Sequence, residues 1–352
     1  MGIKTKSFGT TKDGQKAVLY SLTNSKGMQV DFTDYGANIV RIIVPDKNGK
    51  MADVVLGYDS VTGYEGNAPG YGSFLGRCAN RISDAEFEIN GVKYTLDKND
   101  GKNCLHSGFK SYNKFMYETE TFEEDGALSI EFSRLSPDME QGFPGNLDIT
   151  VTYTLTDDNE LVIEYFAVSD KDTIINFTNH SYFNLAGHSS GSVLDQKVKI
   201  YADKYTVTDA GLIPTGEMAD VAGTPLDFRE WKKIGQDINA DFEPLKLGHG
   251  YDHNFVLNTT RDEVTLIAEL HDDNSGRHME VFTDLPGMQF YSANFLPENE
   301  KAKDGCVYKS RDGICFESHF FPNSCKMENV PNGRIKAGQE FESTTIYKFS
   351  VK

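Results

Sequence analysis

The sequence predicts an all-β protein, built from largely antiparallel strands with few short helices. Three observations carry that prediction. Segments with the two-residue period of a half-buried strand recur at short intervals between Gly, Asn and Asp residues. Aromatic residues, which favour strands, make up 12% of the chain, with 17 Tyr and 23 Phe. Strands do not alternate with helices as a parallel α/β sheet would require. The 352 residues would by length alone suggest about two domains, but β-sandwiches often exceed ~200 residues as one unit. No Pro/Ser-rich linker, low-complexity stretch or internal repeat interrupts the chain. The expectation is one domain over residues 1–352.

Short apolar runs at Val30–Phe32 and Ile39–Val44 read as the first strands. Phe87-Glu-Ile-Asn-Gly-Val-Lys-Tyr-Thr-Leu96 places Asn90-Gly91 between two alternating runs, which predicts a hairpin with a type I′ turn. Leu128–Phe132 and Leu161–Val168 read as strands around Leu147-Asp-Ile-Thr-Val-Thr-Tyr-Thr-Leu155, where every second residue is apolar. Val198–Tyr201 follows. One helix is expected next: Asp227 as N-cap, Glu230 as its capping-box partner, and Phe228, Trp231, Ile234 and Ile238 at helical spacing. Val264–Leu270, Met279–Thr283 and Thr344–Phe349 complete the strands.

Composition excludes several functions. A net charge of −18 argues against nucleic acid and against anionic membrane surfaces, which need a basic footprint. No run of ~18 apolar residues is available to span a bilayer. The N-terminal Met1–Thr10 lacks the apolar core of a secretory signal. The five cysteines, Cys78, Cys104, Cys306, Cys315 and Cys325, form no Cys-x-x-Cys pair and read as reduced thiols rather than a disulfide framework or a zinc site. A cytoplasmic protein is expected.

The residues that could carry chemistry fall into a few short segments. Thr178-Asn-His-Ser-Tyr-Phe-Asn-Leu185 seats His180 among Asn179, Ser181, Tyr182 and Asn184, just after an apolar run. An imidazole at the end of a buried strand can hand a proton to a polar ligand; it can equally be satisfied by its neighbours. Gly76-Arg-Cys-Ala-Asn-Arg-Ile82 supplies Arg77, Asn80 and Arg81, forks of donors for a carboxylate, phosphate or sugar hydroxyl, or else partners for an acid within a loop. Leu105-His-Ser-Gly108 adds His106, beside turn residues. Tyr251-Asp-His-Asn254 could be a polar cluster at a site or an Asx turn before a strand. Gln289 lies inside the apolar Gly287–Tyr291, where its amide must find partners or a ligand.

Glu317 is the sharpest of these. In Ile314-Cys-Phe-Glu-Ser-His-Phe-Phe321, alternation sends Ile314, Phe316, Ser318 and Phe320 to one face and Cys315, Glu317, His319 and Phe321 to the other. A carboxylate among aromatics has its pKa raised by desolvation, towards the range of a general base. No dinucleotide-binding Gly motif, Walker loop or Gly-x-Ser-x-Gly elbow is present. No His-x-His or His-x-x-x-His pair supports a metal site.

Taken in order, these segments resemble the aldose 1-epimerase (galactose mutarotase) family. The resemblance rests on Gly76–Ile82, Leu105–Gly108, Thr178–Gly187, Ile213-Pro-Thr-Gly216 with Gly223-Thr-Pro-Leu-Asp-Phe-Arg229, Tyr251-Asp252, Pro286–Tyr291 and Gly313–Glu317, and it covers the chain from about Gly36 onward. It implies a large antiparallel β-supersandwich with a sugar cleft on one sheet, no cofactor and no metal. By position it implies that Glu317 is a general base and His180 a general acid. Asn80, Arg81, His106, Tyr182, Asp252 and Gln289 would then hold a monosaccharide, with His106 near the reacting centre. The implied activity is anomerisation of free hexoses such as glucose and galactose. An epimerase of hexose 6-phosphates and a sugar-binding protein without catalysis stay open, as does a glycoside hydrolase using Glu317 and Asp252. Oligomeric state is not implied. Three departures stand out: Ser107 where a second glycine is expected, Asp195-Gln196 in place of Asp-His, and Ser318-His-Phe-Phe-Pro-Asn323 where a Gln and a Pro-Asp pair are usual.

Overall fold

The alternation in Leu147–Leu155 is realised residue for residue: Leu147, Ile149, Val151, Tyr153 and Leu155 are buried and the residues between them are not. In the computed structural model, which describes every residue except 125 and 329, this strand lies within a nine-stranded sheet. The sheet order is Glu118–Glu124, Ala127–Ser136, Leu147–Leu155, Glu160–Ser169, Glu340–Val351, Arg277–Thr283, Thr265–His271, Lys197–Ile200, Lys232–Lys233. A five-stranded meander, Gly2–Thr10 through Met51–Asp53, forms the N-terminal part. Asn90 and Gly91 both take positive φ, as a type I′ turn demands, and Glu86–Ile89 pairs with Val92–Thr95 around them.

A second five-stranded sheet positions the site. Its order is Pro214–Asp220, Lys204–Thr208, Asp252–Val256, Gly287–Tyr291, Cys315–His319. Alternation gives the last three strands two different faces. Phe255, Phe290 and Phe316 point one way, with ring centroids 6.2 and 5.5 Å apart in sequence. They join the main core, in which Tyr347 of the nine-stranded sheet donates its hydroxyl to Phe316 O at 3.2 Å. At roughly 1.5–3 kcal/mol per buried apolar side chain, this back face holds the sheet flat against the core. The opposite face is thereby fixed for Asp252, Gln289, Tyr291, Cys315 and Glu317. The register sets Gln289 opposite Glu317 and Tyr291 opposite both Asp252 and Cys315.

The expected helix over residues 227–238 is absent. The segment runs irregularly and contributes only the two-residue strand Lys232–Lys233. Asp227 does not cap; both its oxygens take a bidentate pair from Arg229 at 2.9 Å. Ile200 N–H bonds to Phe228 O and Ile234 N–H to Gln196 O, so the backbone is claimed by neighbouring chain rather than by its own turns. Phe228, Ile234 and Ile238 are nonetheless fully buried, while Trp231 stays 41% exposed against His271 and His278. The apolar spacing was real; tertiary contacts decided its conformation. The α-helices among the described residues are single turns of six residues, Val61–Gly66 and Glu243–Gly248.

Candidate active site

His180 reaches the site sheet through two short pairings. Thr178–His180 lies antiparallel to Ser73–Leu75, and Phe183 exchanges backbone hydrogen bonds with Ile314 at 2.8 and 3.0 Å. The second pairing ties the octapeptide to the start of the strand that carries Glu317. The octapeptide's polar residues are then spent on holding this bend. Asn179 donates to Gly72 O and accepts from Ser181, and Asn184 donates to Gly191 O and Asp312 O. Gln196, the residue found where His is usual, bonds Leu185 N–H and Asn184 Oδ1 and so braces the same turn.

The result is a close pair: His180 Nε2 lies 3.4 Å from Glu317 Oε1. Both side chains are nearly inaccessible, and Glu317 Oε2 has no protein partner. The His180 ring stacks on Tyr182, with centroids 5.0 Å apart and 30° between planes, and its Nδ1 lies 3.6 Å from Cys315 Sγ. Tyr182 spends its hydroxyl on Pro69 O at 2.7 Å, so it offers a ligand its ring rather than a hydrogen bond.

Burial dominates the electrostatics. It pushes the Glu317 carboxyl well above the usual range; the Asp252 carboxylate adds to the effect and Arg81 opposes it. It pulls His180 down to about 4, partly offset by the residue's own backbone carbonyl. His106 is likewise held well below its ordinary value, by burial first and then by His180, Arg81 and His319. Burial thus disfavours the charged form of both partners.

The second wall comes from the two loops the sequence singled out. Arg81 pairs with Leu105 across a two-residue ladder. Asn80 donates its N–H to His106 Nδ1 at 3.1 Å, and His106 N–H returns to Asn80 O at 3.0 Å. Asn80, His106 and Ser107 all take left-handed backbone, with φ of 60°, 50° and 67°. That conformation suits glycine, which accounts for the glycine expected at 107. Here Ser107 occupies it while its Oγ accepts from Cys78 N–H and donates to Cys78 O. Arg81 Nε donates to Asp100 at 2.9 Å and Nη1 lies 3.7 Å from Asp252, which also accepts from Gln289 Nε2 at 2.6 Å.

All eight residues that the sequence analysis put forward, Asn80, Arg81, His106, His180, Tyr182, Asp252, Gln289 and Glu317, line one cavity of about 540 Å³. Its rim includes Phe109, 71% exposed, and Phe295, 59% exposed. Tyr291, Asn99 and Lys114 also line it; strand alternation could have found Tyr291, two residues after Gln289 on the same face, whereas Asn99 and Lys114 lie in ordinary loop and turn context. Arg77 does not reach the cavity. Fully buried, it donates to Tyr112, Pro144 O, Gly145 O and Ser136. His253 turns to the opposite face of the sheet, against Tyr205. None of residues 318–323 lines the cavity; Asn323 instead donates its N–H to Arg81 O and accepts from Ser83 N–H.

Ligand atoms of His106, His180 and Glu317 lie within 4.8 Å of one another, a spacing a metal could use. The His106 ring argues against it. Its Nδ1 lone pair is taken by Asn80 N–H, so the neutral ring keeps its proton on Nε2 and has no lone pair to give. A second group, Glu269, His278 and Glu280 on the nine-stranded sheet, is closed by the Lys352 ammonium, 2.5 Å from His278 Nε2.

Comparison with known proteins gives the family. The family model described as aldose 1-epimerase matches residues 18–348. The chain belongs to the aldose 1-epimerase family. Within the aldose 1-epimerases, the galactose mutarotase of Bos taurus is 39% identical over 98% of this chain and 97% of its own. The aldose 1-epimerase of Escherichia coli K12 is 36% identical over 96% of each. Among solved structures, galactose 1-epimerase from Lactobacillus acidophilus superposes with a TM-score of 0.87 at 28% identity, covering 99% of both chains. An aldose epimerase homologue from C. elegans gives 0.85 at 28% identity, covering 94% and 98%. The all-β supersandwich expected from the sequence is the fold of this epimerase family member, and its eight site candidates share one cleft.

Proposed function

We propose that the protein is an aldose 1-epimerase that interconverts the α and β anomers of free hexoses such as glucose and galactose, with Glu317 as general base and His180 as general acid. The observation that carries this reading is the 3.4 Å pair of Glu317 and His180 in the cavity. Mutarotation removes a proton from the anomeric hydroxyl and gives one to the ring oxygen, and both oxygens are bonded to the same carbon. The base and the acid must therefore stand next to each other. Glycoside hydrolysis needs two carboxyl groups about 5–9.5 Å apart across a glycosidic bond, and an imidazole beside the carboxylate does not serve it.

Burial favours the neutral pair; Glu317 as carboxylate with His180 as imidazolium holds the same number of protons, so the reactive form is reached by an internal transfer. Glu317 takes the anomeric proton as Nε2 of His180 protonates the ring oxygen. The carbon–oxygen bond of the ring breaks, the terminal carbon–carbon bond turns, and reclosure on the other aldehyde face returns both protons. Each positioned group contributes ~10²–10⁴ in rate. Around the pair, Arg81, Asp252 and Gln289 form a bonded chain of donors and acceptors suited to vicinal hydroxyls. Asn80 and the Nε2–H of His106 would complete the hold on the monosaccharide.

A neutral sugar is favoured over a phosphorylated one. The cations lining the cavity are Arg81, engaged by Asp100 and Asp252, and Lys114, whose Nζ donates to Tyr64 O and Glu65 O. Burial lowers Lys114 to about 8, which weakens it further as a phosphate partner. The five cysteines, free and mostly buried, accord with a cytoplasmic setting. Polarimetry of freshly dissolved α-D-glucose and α-D-galactose tests the proposal, and no acceleration over buffer on either sugar would defeat it. Sugar binding by calorimetry with no turnover would point to a binding protein of the same fold. Faster turnover of hexose 6-phosphates than of free hexoses would favour the phosphosugar reading.

A further inference from the structure

The Glu317–His180 pair accounts for only one nitrogen of the imidazole. Nε2 lies 3.4 Å from Glu317 Oε1. In the acid role assigned above the ring is an imidazolium, which carries a hydrogen on both nitrogens. Once Nε2 has given its proton to the sugar, the neutral ring keeps its hydrogen on Nδ1. Both stages of the reaction therefore place an N–H at Nδ1, in a pocket where the ring is nearly inaccessible.

The atom that meets it is sulfur. Cys315 Sγ lies 3.6 Å from Nδ1. Cys315 stands two residues before Glu317 on the same strand, so the pleat gives it the same face, and its register partner is Tyr291. The side chain is fully buried, and burial pushes its thiol well above the ordinary value, so it stays uncharged. The other groups facing His180 are Glu317 on Nε2, Tyr182 stacked on the ring, His106 and Tyr291 with centroids 5.5 and 6.2 Å away, and His319, whose Nδ1 is engaged with Phe320 O. The backbone carbonyl of His180 itself also favours the charged ring; among the described residues, Cys315 is the side chain that meets Nδ1.

We propose that Cys315 is a positioning residue for His180: its sulfur accepts the Nδ1 hydrogen, fixing the ring so that Nε2 alone exchanges protons with Glu317 and the sugar. This rests on the acid–base reading above. The choice of sulfur also has a chemical consequence. A carboxylate behind a histidine, as in Ser-His-Asp triads, stabilises the imidazolium and makes it a weaker acid. A thiol is a weak acceptor, which holds the ring in place while leaving its imidazolium a ready proton donor to a feebly basic ring oxygen.

The full-length protein with Cys315→Ala or Cys315→Ser provides the test, by polarimetric kcat and KM across pH and by ¹⁵N NMR of the histidine rings. In Cys315→Ala the buried N–H loses its partner, and kcat should fall by roughly ten- to a hundred-fold with KM little changed. In Cys315→Ser a stronger acceptor occupies the place; kcat should recover and its acid limb should move to higher pH. NMR of the wild type should find a hydrogen on Nδ1 of His180. An unchanged kcat and pH profile in Cys315→Ala overturns the proposal, as does a bare Nδ1 in the wild type. Should Cys315→Ala fail to fold, an unmoved acid limb in Cys315→Ser overturns it equally. A wild type inactive on every aldose would instead defeat the mutarotase reading, and the NMR result would still decide the contact at Nδ1.

Discussion

Replacing Glu317 with Gln separates the chemistry of the site from its architecture. The two side chains have nearly the same volume, and Oε2 of Glu317 has no protein partner to lose. The sugar-holding groups Asn80, Arg81, His106 and Asp252 are untouched, so KM should change little. An amide cannot take the anomeric proton, and kcat should fall by the ~10²–10⁴ that a positioned base supplies, about 3–5 kcal/mol of barrier. Stability should move the other way. Folding raises the Glu317 pKa, chiefly through burial. A carboxyl whose folded pKa lies above its unfolded one is most favourable to folding below the unfolded value, and it loses that advantage as pH rises through the folded value. The wild type therefore carries a penalty at pH 7–8 that is absent near pH 4, and Glu317→Gln removes it. Polarimetry and thermal melts at several pH values read both effects. The reasoning fails if Glu317→Gln keeps a rate within about tenfold of the wild type. It also fails if the variant melts lower than the wild type at pH 8 relative to pH 4–5.

Three further variants test other parts of the account. Arg81→Gln breaks the contacts to Asp100 and Asp252 and removes a charged donor worth ~1.5–3 kcal/mol, so KM for galactose should rise by about ten- to a hundred-fold with a smaller change in kcat. Arg77→Met leaves Pro144 O and Gly145 O without their buried donor; a cost of about 2–5 kcal/mol should lower the thermal midpoint, while the surviving folded fraction keeps its KM. Gly72→Ala places a Cβ 1.9 Å from Ile39 O at a φ of +65°. Because Gly72 N–H also holds His180 O, soluble yield should drop sharply and any folded protein should lose kcat. Normal yield and normal kcat in that variant would contradict the assigned packing.

Legibility in the sequence divided along physical lines. Strands buried on one face announce themselves by period, so Leu147–Leu155 and the 87–96 hairpin were readable to within a residue. The face assignment of Glu317 followed from the same rule. The segment 227–238 has helical spacing of its apolar residues, yet Arg229 takes the intended cap and the neighbouring strands take the backbone. No local rule could foresee that. The candidate site was readable mainly through the order of its segments; Asn80, His106 and Arg81 alone look like ordinary loop residues. Their three-dimensional logic needed the structure, because left-handed φ at 80, 106 and 107 turns two loops into one wall. Tyr182, expected to help hold a sugar, lines the cavity with its ring, while its hydroxyl belongs to Pro69. Cys315 was read as a reduced thiol on the same face as Glu317, but its contact with His180 was not legible, since that partner lies 135 residues away.

His106 and His180 both face the cavity, and both are pulled towards neutrality by burial. Their back-side partners differ in sense. His106 receives a hydrogen from Asn80 N–H on Nδ1, which commits its hydrogen to Nε2 and makes it a fixed donor. His180 meets sulfur at Nδ1, which leaves Nε2 free to alternate between lone pair and proton opposite Glu317. A donor behind the ring produces a hydrogen-bonding residue, and an acceptor behind the ring produces an acid. On this argument the two imidazoles cannot exchange roles: His106→Gln should weaken sugar binding, whereas His180→Gln should abolish turnover while leaving binding in place. Calorimetric sugar binding set beside polarimetric kcat would separate them, and a His180→Gln variant with wild-type kcat would break the distinction.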